Sequence, residues 1–133
     1  ADVVDAIVLL EIAYPLRRVN DVSDMLDRLY AEGLEVVVAG RRERRGLWAD
    51  DNGVVVQVGE GFKPRETKTS SAYIGLLGYG TILRSAALRG PEPFASRVGV
   101  FEVPDEISSL EFRSSIDLPL ARRLLDRANS ESL

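Results

Sequence analysis

A chain of 133 residues, 45% hydrophobic and 29% charged, is enough for one globular domain with a real core. The net charge of −4 argues against a nucleic-acid partner. Cysteine and histidine are both absent, which excludes disulfides, thiolate nucleophiles, Cys/His zinc sites and a Ser-His-Asp triad, so any bound metal must be hard and held by oxygen, as Mg²⁺ is.

No apolar run is long enough to span a membrane, and no signal peptide is visible. A first residue of Ala rather than Met is expected of an N-terminus that was cut or engineered, and the lack of cysteine fits a cytoplasmic chain.

Ile7–Leu10 is an unbroken, partly β-branched apolar run, which reads as a strand buried on both faces in a parallel sheet. Glu11 follows and Pro15 ends the strand. Ligands in open α/β sheets bind beyond the carboxyl ends of strands, so Glu11 to Arg17 is the place to look for a site. Over Val19–Gly33, the apolar residues Val22, Met25, Leu26, Leu29 and Tyr30 fall at helical spacing. Asn20 or Asp21 is expected to cap this helix, with Asp21 and Asp24 near the positive end of its dipole and Gly33 at its C-terminal end. Glu35–Ala39 reads as the next strand. Together these make a βαβ unit, with Ile7–Leu10 and Val36–Val38 expected side by side inside the sheet.

RRERR in Gly40–Trp48 reads either as an anion clamp or, more simply, as a solvated turn. Asn52-Gly53 favours φ > 0 and predicts a hairpin over Leu47–Val58, with Asp50 and Asp51 as turn residues rather than metal ligands. Gly59–Ser71, with Lys63, Arg65 and Lys68, reads as a long surface loop whose length suggests function. Tyr73–Leu77 reads as a buried strand. Thr81 is expected to cap a short helix through Leu88, ended by Gly90-Pro91. Val98–Val103 reads as the last strand. Ser114 or Ser115 should cap a final helix to about Ala128, with Ile116, Leu120 and Leu124 on its apolar face and Ala121, Leu125 and Ala128 flanking.

The order of these segments resembles the C-terminal part of the acylneuraminate (CMP-sialic acid) cytidylyltransferase family and its relatives that activate other acidic sugars. Where that family has ADIVVLLQ and PTSPLR, this chain has ADVVDAIVLLE and IAYPLR, then a helix and EVVVAG. Where the family has DIDTxxD ahead of its last helix, this chain has EFRSSID, Glu111–Asp117. The family's first third, with a glycine-rich nucleotide loop and a lysine, has no counterpart here.

The resemblance implies a single α/β domain over residues 1–133. Its sheet would be mostly parallel and three-layered, of the nucleotidyltransferase (Rossmann-like) type, with an antiparallel hairpin excursion. It implies transfer of CMP from CTP to an acidic sugar with release of pyrophosphate, Mg²⁺ as cofactor, and a homodimer formed through the hairpin. Carried over by position, Glu11, Arg17, Arg65, Tyr73 and Phe94 would contact substrate, and Glu111 would remain of the metal site. Arg113 stands where the family has a metal-binding aspartate, and arginine is always protonated and cannot ligate a cation. Asp117 matches a family aspartate that helix capping explains without metal. The rival expectation is therefore a non-catalytic sugar-nucleotide-binding or dimerisation domain. This chain alone is expected to be inactive.

Overall fold

The computed structural model describes residues 3–60, 63–68, 72–92, 94 and 97–131, with the side chain of Arg65 outside that set. It is a mixed α/β structure. In chain order come β1 (Ala6–Leu9), α1 (Val19–Ala31), β2 (Val36–Glu43), β3 (Leu47–Asp51), β4 (Val54–Val58), β5 (Ala72–Gly75), β6 (Thr81–Arg84), β7 (Val98–Glu102) and α2 (Leu118–Glu131). The chain divides into two compact units, Ala1–Gly40 with Gly75–Leu133, and Arg41–Ile74.

In the larger unit the expected βαβ start is present, but its strands are not neighbours. Its strands run β1-β6-β2, with β7 also on β2. Strand β6 lies between β1 and β2, antiparallel to each, pairing Leu9 with Thr81 on one side and Val38 with Thr81 on the other. Only the β2–β7 ladder, Val36↔Val98 to Gly40↔Glu102, is parallel among the described registers. The sheet is therefore mixed, not mostly parallel, and β1 lies at an edge. Thr81–Arg84 is a strand where the sequence suggested a helix. The 3-10 turn Ala87–Arg89 follows it.

Alternation along β2 creates a core on both faces. Val37 and Ala39 join Met25 and Leu29 of α1, Ile82 of β6, and Tyr79. Val36 and Val38 face the other way, with Leu83 and Ala87. Met25 and Leu29 are fully buried, which is worth about 1.5–3 kcal/mol each. The N-cap of α1 is Arg18, ahead of both expected caps, Asn20 and Asp21, so Asp21 falls inside the first turn. Its other end is as expected: Gly33 has φ 59°, its N–H donates to Tyr30 O, and Leu34 N–H donates to Leu29 O at 2.9 Å, a Schellman closure.

Helix α2 is less covered than its pattern implies. Ser114 accepts from Ile116 N–H and caps the 3-10 turn Ser115–Asp117 that leads into it. Ala121 is buried, but Ile116 is 85% exposed and Leu120 is also exposed. The edge strand is similarly bare, with Val8, Leu9, Leu10 and Ile12 exposed.

In the smaller unit, β3 and β4 form the expected hairpin from Leu47↔Val58 to Asp51↔Val54. Asn52 (φ 53°) and Gly53 (φ 84°) make its turn, while Asp50 and Asp51, expected in the turn, end strand β3, from which Asp50 Oδ1 accepts the Gly53 N–H at 2.7 Å. Trp48, Val54, Val55, Val56 and Val58 are exposed. Part of RRERR is strand rather than turn, because β2 continues through Glu43.

Candidate functional site

The carboxyl end of β1 leads into a compact crown of loops within the larger unit. Glu11 follows the strand. Its N–H donates to Gly78 O at 2.8 Å, tying it to the turn between β5 and β6. A Cβ at residue 78 would come within 2.5 Å of Glu11 Cδ, so this turn accepts the Glu11 side chain because residue 78 is glycine. From the far end of the sequence, Phe112 N–H donates to Ala13 O at 2.8 Å. That bond fixes the segment carrying Glu111 and Arg113 against the residues after β1.

Arg113 lies between two carboxylates. Its Nη2 is 2.8 Å from Glu11 Oε2, and its Nε donates to Glu111 Oε1. The hydrogen bond and charge of Glu111 first, then those of Glu11, raise the Arg113 pKa. Tyr14, buried beside this cluster, has its phenol pKa raised, mainly by burial and then by the charges of Glu111 and Glu11.

Beneath the crown, Arg17 donates to three main-chain carbonyls. Nε reaches Tyr79 O, and Nη2 reaches Glu11 O at 2.7 Å and Gly78 O at 2.9 Å. Its guanidinium also lies 5.6 Å from the centre of the Tyr79 ring. Tyr79 is 0% exposed, packs edge-on against Tyr14 with ring centres 5.8 Å apart, and donates its O–H to Asp21, which is 2% exposed. Arg18 N–H donates to the same phenol oxygen at 3.3 Å, and Arg18 Nε lies 3.7 Å from Asp21.

Of the expected site residues, Glu11, Arg17 and Glu111 therefore meet at one crown, drawn from opposite ends of the sequence. Arg17 holds backbone there. Phe94 belongs to the same unit and is half exposed, with no ring contact among the described residues. Tyr73 lies in the smaller unit, where its hydroxyl accepts from Arg42 Nη2 at 2.9 Å and its ring faces that guanidinium. The Arg65 side chain lies outside the described residues; its backbone begins the 3-10 turn Arg65–Thr67. Sequence reasoning missed Gly78, Tyr79 and the burial of Asp21. No local signal marks them, because their partners lie far away along the chain.

The smaller unit has its own cavity, about 200 Å³, bordered by Glu43, Arg45, Lys68 and Ala72 among others. The Arg45 side chain and N–H hold the Glu43 carboxyl down at about 2, so these two charges satisfy each other.

Mg²⁺ does not fit the crown as built, because the two carboxylates that would bind it share a guanidinium. Among the described residues, no group of three or more acidic side chains gathers to hold a metal. No protein-family model matches the chain, and no curated protein matches it.

Proposed function

We propose that this chain is a cytidylyltransferase-like domain that recognises CTP and an acidic sugar of the N-acylneuraminate kind, and that it lacks turnover by itself. The observation that carries this reading is the meeting of Glu11 and Glu111 at the carboxyl end of β1. The resemblance assigns Glu11 to the substrate and Glu111, 100 positions away, to the metal, and both bond to Arg113. The nucleotidyltransferase type of fold is part of the same proposal. It is supported by the βαβ start, the hairpin excursion and the mixed sheet.

The reaction of the resembled enzymes joins the sugar's anomeric oxygen to the α-phosphorus of CTP and expels pyrophosphate. An in-line displacement of this kind depends on positive charge set around the transferring phosphate. Glu11, Glu111 and Arg113 together carry a net negative charge at the crown. That charge repels anionic ligands as well, so of the rival reading, a non-catalytic sugar-nucleotide-binding or dimerisation domain, it favours the dimerisation form.

The test is pyrophosphate release from CTP with Mg²⁺ and a panel of acidic sugars. The chain alone is expected to give none. Arg113→Asp joined to a preceding glycine- and lysine-bearing strand–loop–helix segment is expected to give turnover, and Arg113→Asp without that segment is not. Turnover by the unmodified chain, or an inactive joined variant that is folded, would overturn the reading.

The homodimer belongs to the proposal as well, formed through β3 and β4, whose valines and Trp48 are exposed. Burying those on one face of the hairpin against a second copy would remove apolar surface from water. Light scattering is expected to read a dimer at high protein concentration; a monomer there counts against it.

A further inference from the structure

We propose that Arg113 is a built-in cation, whose guanidinium takes the position of a divalent metal ion between Glu11 and Glu111 and closes the crown to hard cations. This extends the functional reading above, but its test needs neither nucleotide nor sugar.

The geometry gives the first argument. Glu11 and Glu111 come from segments a hundred residues apart, and each is held by main-chain bonds close to its own backbone, Glu11 N–H to Gly78 O and Phe112 N–H to Ala13 O. The two carboxylates are thus brought together by the fold, independently of Arg113. Side by side and uncompensated they would repel, so the position between them selects for positive charge. The planar guanidinium answers with one N–H toward each, Nη2 to Glu11 and Nε to Glu111.

The second argument is the donor set. A hard divalent cation needs several oxygens and an inner shell free of other cations. Here the two carboxylates face a guanidinium, which is always protonated and offers a cation no lone pair. The third argument is exposure. Arg113, Glu11 and Glu111 are all solvent-accessible, so the cation is excluded by charge and not by lack of access.

Removing the guanidinium should therefore convert the crown into a cation site. The probe is Mn²⁺, read by selective line broadening of backbone amides in ¹⁵N-correlated spectra. In the parent chain, the amides of Glu11, Gly78, Phe112 and Arg113 are expected to broaden no more than those of exposed acidic residues elsewhere, such as Asp50. In Arg113→Gln and Arg113→Ala, those of Glu11, Gly78 and Phe112 should broaden first, at about tenfold lower Mn²⁺ or less. Excess Mg²⁺ should reverse the effect. Adding Glu11→Gln to either variant should abolish it. Selective broadening of the crown in the parent would overturn the proposal without any variant. So would folded Arg113→Gln and Arg113→Ala chains whose crown amides respond as the parent's do.

Discussion

Replacing Tyr79 is expected to destabilise the larger unit more than any other single change at the crown. Tyr79→Ala removes a fully buried ring that joins the Tyr14 edge contact, the core under β2 and the Arg17 guanidinium. A loss of about 3–5 kcal/mol is expected, a large share of a stability of about 5–15 kcal/mol. Tyr79→Phe separates the hydroxyl from the ring. It keeps the packing but leaves the buried Asp21 carboxylate without the phenol and the Arg18 N–H without its acceptor. That should cost about 1–3 kcal/mol.

Urea unfolding followed by circular dichroism measures both changes, with the slope expected to stay constant. Asp21→Ala in the Tyr79→Phe background should cost less than the sum of the single changes, because the bond between the two side chains is counted in each. Burial first, and the hydrogen bond to Asp21 next, raise the Tyr79 pKa above its ordinary 10.0. A raised folded pKa means that this contribution is complete below pH 10 and is lost as pH rises through the folded value. The difference between Tyr79 and Phe should therefore be flat through neutral pH and shrink only in strong alkali. Parity of Tyr79→Phe with the parent at pH 7 would show that Asp21 is satisfied without the phenol.

Parts of this arrangement are legible in the sequence where short-range chemistry decides them. The apolar run into β1, the 3.6-residue stripe of α1, Gly33 at its end and Asn52-Gly53 in the hairpin each reflect a local backbone or solvation preference. The strand β6 is not legible. Thr81-Ile82-Leu83-Arg84 is a threonine ahead of apolar residues, which fits a capped helix as well as a four-residue strand. Its insertion between β1 and β2 is decided by the whole chain. That single placement turns an expected parallel neighbour pair into two antiparallel ladders.

Glu11 is legible as the first polar residue after an apolar run, although that run is an exposed edge strand and not the doubly buried inner strand its composition suggested. Glu111 and Arg113 come to notice through resemblance alone, and their convergence on Glu11 depends on the Phe112–Ala13 hydrogen bond. The exposed Ile116 and Leu120 show the reverse limit. Periodicity identifies an apolar face, and it does not say whether this chain supplies the surface to cover it.

Arg17→Lys is expected to loosen the crown while leaving the sheet intact. The Arg17 fork reaches three carbonyl oxygens that converge from two loops, those of Tyr79, Gly78 and Glu11. These acceptors lie past the registered pairs of β1 and β6, and Gly78 O also receives the Glu11 N–H. Lysine keeps the charge but offers a compact ammonium on a flexible stem, which cannot direct separate N–H groups at three fixed oxygens. The bonds are partly accessible to water, so a stability loss of about 1–2 kcal/mol is expected, at the modest end for charged hydrogen bonds.

The diagnostic readout is local. Hydrogen exchange should accelerate at Glu11, whose N–H is bonded to Gly78 O, and at Tyr79, whose N–H is bonded to Leu76 O. Exchange at Val37 and Leu29, inside β2 and α1, should change only by the global loss. An arginine held out for a ligand would behave differently: Lys would leave exchange and stability unchanged and weaken anion binding alone. Unaltered protection at Glu11 and Tyr79 in Arg17→Lys would return Arg17 to that role. The carbonyl clamp predicts the reverse, because the residue that defines the floor of the crown is the one whose planar fork joins the end of β1 to the turn before β6.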